Sequence, residues 1–129
     1  EQSIPERFEK IVRRYPDRLA VKMGDCALTY SELNHAANRI ARGILDRQGL
    51  RQEPVVVLFE QGVEAIAAIL GVLKAGKFYV PLDPSYPVER NRYVLQDTGA
   101  EVLITNDRNT SLAAALCGND YRMGELHVV

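Results

Sequence analysis

The run Gly71-Val72-Leu73-Lys74-Ala75-Gly76-Lys77-Phe78 has the spacing of a phosphate-binding loop, GxxxxGK[ST]. A loop of that kind would wrap backbone N–H groups and a lysine around a phosphate. Two features oppose that chemistry. Phe78 stands where a magnesium-ligating hydroxyl is required. The context is also reversed. A phosphate loop leaves a strand and opens a helix, whose N-terminal N–H groups face the anion. Here the glycines close an apolar helical run and lead into a strand, at the end of the dipole that repels phosphate. The spacing therefore reads as a helix stop followed by a turn.

Glu60, Glu64, Asp83, Asp97 and Asp107 could each act as a general base, but none stands beside an activating partner in sequence. Solvated surface is the expectation for all five. His35 falls beside the apolar stripe of a helix and His127 near the C-terminus. Neither has Cys, Asp or Glu at ligand spacing, so both read as structural or solvated. Cys26 and Cys117 cannot form a metal cluster with each other, and a cytosolic setting would leave them reduced. No GxSxG elbow, HExxH or GxGxxG occurs. Asn109-Thr110-Ser111 matches a glycosylation sequon, but the charged opening EQSIPERFEK does not read as a secretory signal peptide. A helix N-cap cluster is the better account of those polar residues. Arg13-Arg14 and Arg90-Asn91-Arg92 read as solvated helix faces.

Pro81-Leu82-Asp83-Pro84-Ser85-Tyr86-Pro87 is a stiff loop, because its prolines fix their own φ and push the preceding residues to extended conformations. A loop of this kind at the carboxyl end of a sheet strand is where α/β proteins place ligand contacts. With no polar cluster around it in sequence, a rigid connector is the favoured reading.

The elements that would position these residues alternate. Phe8, Ile11, Val12 and Tyr15 share one helical face, with Ser3 and Glu6 as a capping box and Pro16 as the stop. Leu19–Met23 and Ala27–Tyr30 read as a hairpin turning at Gly24-Asp25. A long helix follows, capped by Ser31 or Thr29 and ending at Gly49. Pro54–Phe59 is continuously apolar, as in a strand buried on both faces of a parallel sheet. Gly62–Ala75 is a helix apolar nearly all round, which predicts neighbours on more than one side. Phe78–Pro81 is a strand, Pro87–Thr98 a helix, and Glu101–Thr105 a buried strand. A helical patch over Ser111–Leu116 and a strand over Leu126–Val129 complete the order. The alternation predicts an α/β fold: a mostly parallel sheet flanked by helices and joined by right-handed crossovers, preceded by a helix and a hairpin.

Composition narrows the setting. The chain has 129 residues, 47% hydrophobic and 26% charged, an ordinary globular mixture. Its 16 basic and 17 acidic residues leave a net charge of −1, which provides no electrostatic attraction for nucleic acid or an anionic membrane. No apolar run approaches the ~18 residues of a membrane helix. Composition thus points to a soluble, cytoplasmic unit without indicating a reaction.

Two longer motifs say more. Leu28-Thr29-Tyr30-Ser31-Glu32-Leu33 resembles the first core motif of the adenylation domains of nonribosomal peptide synthetases. Leu73-Lys74-Ala75-Gly76-Lys77-Phe78-Tyr79-Val80-Pro81-Leu82-Asp83-Pro84 resembles the second. Leu33–Arg39, Pro87–Arg90 and Ile4–Glu9 are similar to that family as well, so the resemblance runs from about Ser3 to Thr105. One departure is Lys77-Phe78, where the family usually has two small residues, and local packing is expected to differ there.

The resemblance implies a parent enzyme that joins ATP to an amino acid or another carboxylic acid as an acyl-adenylate. Magnesium accompanies the ATP, and the acyl group passes to the phosphopantetheine thiol of a carrier domain. It implies the remainder of the adenylation domain, together with condensation and carrier domains, as partners. In the family the phosphate loop, the adenine and ribose motifs, the acid pocket and the C-terminal lysine all lie downstream of the two motifs present. Residues 1–129 are therefore expected to be the first part of the large N-terminal subdomain, inactive alone, with no catalytic, cofactor-binding or metal-ligating residue. The alternatives are a non-catalytic docking or scaffold module and one half of a split adenylating enzyme.

Overall fold

The computed structural model of the protein describes residues 3–49, 51–117 and, as backbone, 124–127. Val128 and Val129, expected in the last strand, lie outside the described residues.

Helix α1 (Ile4–Arg14) begins where Ser3 Oγ accepts the Glu6 N–H at 3.3 Å, with Pro5 in its first turn. Its apolar stripe is only partly covered. Phe8 is buried, whereas Ile11 and Tyr15 are exposed. The helix meets the rest of the molecule along one line, with the Phe8 ring tilted against Tyr30 at 6.2 Å and the Lys74 ammonium 5.6 Å from the Phe8 ring. Strands β1 (Leu19–Met23) and β2 (Cys26–Thr29) pair antiparallel, turning through Gly24 at φ 59°.

Tyr30 belongs to the next helix rather than to the hairpin. Helix α2 (Tyr30–Gln48) starts at Thr29, not at Ser31. Thr29 Oγ1 accepts the Glu32 N–H at 3.1 Å, and Glu32 Oε1 accepts the Thr29 N–H at 2.9 Å, a complete capping box.

The main sheet comprises β3 (Pro54–Leu58), β4 (Phe78–Leu82), β5 (Val102–Thr105) and β6 (Gly124–His127). It is parallel throughout, in the order β4-β3-β5-β6. Helix α3 (Val63–Lys74) connects β3 to β4, α4 (Val88–Thr98) connects β4 to β5, and α5 (Thr110–Cys117) follows β5. Strand period two divides the core between the faces. Val55, Val57, Val102 and Ile104 meet α2 and α3 on one face. Val56, Leu58 and Leu103 meet Leu95 of α4 and Ala113 and Leu116 of α5 on the other.

The expected all-round burial of the α3 segment is observed, since no residue from Gly62 to Ala75 is exposed. Gly71 lets α2 approach closely. A Cβ built there would lie 2.6 Å from Cβ and Cγ2 of Ile40 and 2.9 Å from the Ala37 carbonyl oxygen. The helix ends in a Schellman motif. The Lys77 N–H donates to Val72 O at 3.1 Å and the Gly76 N–H to Leu73 O at 3.0 Å, with Gly76 at φ 76°. This assigns the Gly76-Lys77 pair of the phosphate-loop-like spacing. They are the two residues that stop a helix, as the order of elements predicts.

Candidate functional site

The strand order has one switch point. β3 is followed by a helix on the first face of the sheet, and its neighbour β5 by a helix on the second. In an open parallel sheet the crevice outside the carboxyl ends of two such strands is the favoured ligand position.

Here the crevice is filled by side chains that bond to one another. Glu60 follows β3, and Asn106 and Asn109 follow β5 around a 3-10 turn (Asp107–Asn109). Asn109 Nδ2 donates to Glu60 Oε1 at 3.0 Å and to Asn106 Oδ1 at 2.9 Å. Asn106 Nδ2 donates to Glu64 Oε1 at 3.1 Å and lies 3.5 Å from Glu60 Oε1. Arg108 adds an ion pair to Glu60 at 3.7 Å. Below this layer Thr105 Oγ1 donates to Leu58 O at 2.8 Å, tying β5 to β3. Asn106 and Asn109 are both buried.

Burial opposes ionisation of Glu60. Its own backbone N–H, the two asparagine amides and Arg108 outweigh that cost and hold its carboxyl below the ordinary value. A carboxylate so held is a poor proton acceptor near neutral pH. Its role is to bind the β5 loop to the β3 loop.

Two clefts flank this lattice, each of about 550 Å³. One lies towards the hairpin and is lined by Cys26, Glu32, Arg39, Glu60 and Glu64 among others. The second lies towards β4 and includes Glu60, Asp83, Ser85 and Asn109. Asp83 Oδ1 accepts both Ser85 Oγ, at 2.7 Å, and the Ser85 N–H, at 2.8 Å, which hold its carboxyl below the usual range. Asn91, buried on α4, donates to the Asp83 carbonyl at 2.9 Å. The proline loop is thus fixed at both ends of Asp83, as a rigid connector would be.

The mouth of the sheet therefore carries the carboxylates of Glu32, Glu60, Glu64 and Asp83 against Arg39 and Arg108, of which Arg108 is ion-paired to Glu60. That charge does not favour a triphosphate. Among the described residues no group of three or more His, Cys, Asp or Glu could hold a metal ion.

The sequence expected Glu60, Glu64 and Asp83 to be scattered. The fold gathers them along one rim and leaves Asp97 exposed on α4. Asp107 is exposed in the 3-10 turn and His35 on α2, while the His127 side chain lies outside the described residues. Asn106 and Asn109 went unrecognised, apart from Asn109 as part of a cap cluster. Asn106 does cap the turn, accepting the Asn109 N–H at 3.1 Å, but the Asn109 amide also faces inward, where no glycan could be attached.

Comparison with known proteins places this architecture. A family model described as "AMP-binding enzyme" matches residues 8–127. The chain belongs to the AMP-binding enzyme family. It is 43% identical over 104 residues to gramicidin S synthase 2 of Brevibacillus brevis, covering 81% of this chain and 2% of that protein. It is 43% identical over 106 residues to bacitracin synthase 1 of Bacillus licheniformis, covering 81% of this chain and 2% of that one. The nonribosomal peptide synthetase FmoA3, solved with alpha-methyl-L-serine-AMP, superposes with a TM-score of 0.85 at 32% identity, over 96% of this chain and 13% of FmoA3. An anthranilate CoA ligase shares the fold at a TM-score of 0.84 and 19% identity. The chain thus spans a small part of the length of the relatives it matches. The motifs behind the resemblance fall on structural elements: Thr29 and Glu32 form the α2 capping box, and Gly76 ends α3.

Proposed function

We propose that residues 1–129 are the opening part of the large subdomain of an adenylation domain in a nonribosomal peptide synthetase. The superposition on FmoA3 over 96% of this chain carries the reading. In the proposed parent, a carboxylate oxygen of an amino acid or other carboxylic acid attacks the α-phosphorus of ATP, pyrophosphate leaves, and the acyl group passes to a carrier thiol. Magnesium and phosphopantetheine serve that parent, with condensation and carrier domains as neighbours in the cytoplasm. Rate in such a reaction comes chiefly from alignment and charge neutralisation. This segment contributes the alignment. Its sheet and the Glu60–Asn106–Asn109 lattice fix the loops at the carboxyl ends of β3 and β5, and none of its residues is assigned a catalytic role.

The test is substrate-dependent ATP–pyrophosphate exchange. The chain alone is expected to show none. A chimera carrying this chain in place of the matching FmoA3 segment is expected to exchange. A folded but inactive chimera overturns the reading in favour of a scaffold module. Exchange recovered by mixing two separate chains would instead mark a split enzyme, and exchange by the isolated chain would refute its inactivity.

A further inference from the structure

Lys77 is the one lysine among the buried polar residues of the described structure, at 3% exposure, and it stands where the family resemblance leads one to expect a small side chain. Its backbone completes the α3 terminus. Its side chain runs the other way, into the connection between α2 and β3. There Nζ donates to the Gly49 carbonyl at 2.9 Å and to the Arg51 carbonyl, and it stands 4.0 Å from Glu53 Oε1. Gly49 is the C-cap of α2, so the ammonium also faces the negative end of that helix dipole. One residue on, the Phe78 N–H donates to Glu53 O at 3.3 Å, beside the first matched pair of the β3–β4 ladder, Pro54 with Phe78.

We infer that the Gly49 and Arg51 carbonyls and the Glu53 carboxylate form an oxygen cage for a small monovalent cation, and that Lys77 is the cation built into it. Two carbonyls and a carboxylate converge on one point, an acceptor set that suits an ammonium with three N–H groups. Removing the side chain would leave those oxygens facing a vacated, ammonium-sized space, which costs more than losing an ordinary surface contact. The cage would then take a free primary ammonium of similar size. The arrangement anchors the entry of β3 to the entry of β4 at the point where their ladder begins.

The probe is methylammonium chloride, with tetramethylammonium chloride at equal ionic strength as the control that lacks N–H donors. Lys77→Ala is expected to melt several degrees below the native chain. Methylammonium is expected to restore at least half of that loss, while the control salt, the native chain and Lys77→Met show no comparable rise. No restoration in Lys77→Ala, or an equal rise in all three proteins, overturns the cage. A second measurement needs no variant. Under brief acetylation of the native chain, Lys77 is expected to react at least about tenfold more slowly than exposed Lys22, as protection by local structure requires. Equal rates overturn the inference whether or not Lys77→Ala folds.

Discussion

Replacing Gly71 by alanine sets two effects of opposite sign against each other. In the interior of α3 the change improves helix propensity by about 1 kcal/mol. The added methyl, however, would stand 2.6 Å from Cβ and Cγ2 of Ile40 and 2.9 Å from the Ala37 carbonyl oxygen, against the ~3.5–4.0 Å at which carbon atoms attract. Rotation about χ1 moves Cγ2 of Ile40 but not its Cβ, and the carbonyl belongs to the α2 backbone. Relief therefore requires α2 and α3 to separate by about an ångström, which opens the core cluster shared by Ile40, Ile44, Ala68 and Val72. Overpacking of that kind costs ~1–3 kcal/mol. With partners this rigid the upper end applies, so Gly71→Ala is expected to lose about 2 kcal/mol net. Urea unfolding followed by far-ultraviolet circular dichroism should show the midpoint falling by roughly 1 M at unchanged slope. Ile40→Ala removes Cγ2 while leaving Cβ, so the double variant should be less destabilised than the sum of the two. An unchanged or raised midpoint for Gly71→Ala would show that the helices have room to spare and refute the close approach.

Thr29→Ala removes the acceptor for the Glu32 N–H and should cost about 1 kcal/mol of stability, read from the same urea midpoint. Glu9, on α1, is held below the usual 4.5 chiefly by its 2.8 Å hydrogen bond and ion pair with Lys74, and secondarily by Arg13, against the opposing effect of burial. A depressed folded value contributes stability that is whole above the unfolded value and is lost as the pH falls through the folded one. Stability should therefore drop on the acid side of 4.5. The carboxyl titration of Glu9 followed by NMR should move back up towards that value in Lys74→Met, and an unmoved titration would sever α1 from α3 electrostatically.

How much of the molecule could be read in advance depends on how local its causes are. The start of α2 was legible to within two residues, Thr29 or Ser31, because Thr29 and Glu32 lie three residues apart and bond to each other. The end of α3 was legible because Gly76 answers to its own φ and to carbonyls within five residues. Strands buried on both faces show as unbroken apolar runs whatever their order in the sheet. The Glu60–Asn109 bond joins residues 49 apart, and no periodicity encodes it. It exists because β3 and β5 are neighbours with their crossovers on opposite faces, so that the loops after them meet. The same holds for Lys77 and Gly49, 28 apart. Both long-range features consist of polar groups with their partners supplied by distant loops, whereas the sequence reading assumed that a polar residue without a nearby partner faces water. That assumption failed for Glu60 and Glu64, whose asparagine partners follow β5, at the place where parallel topology brings loops together. A polar residue within a few positions of the end of a both-faces-buried strand is therefore better expected to bind a loop than to be solvated.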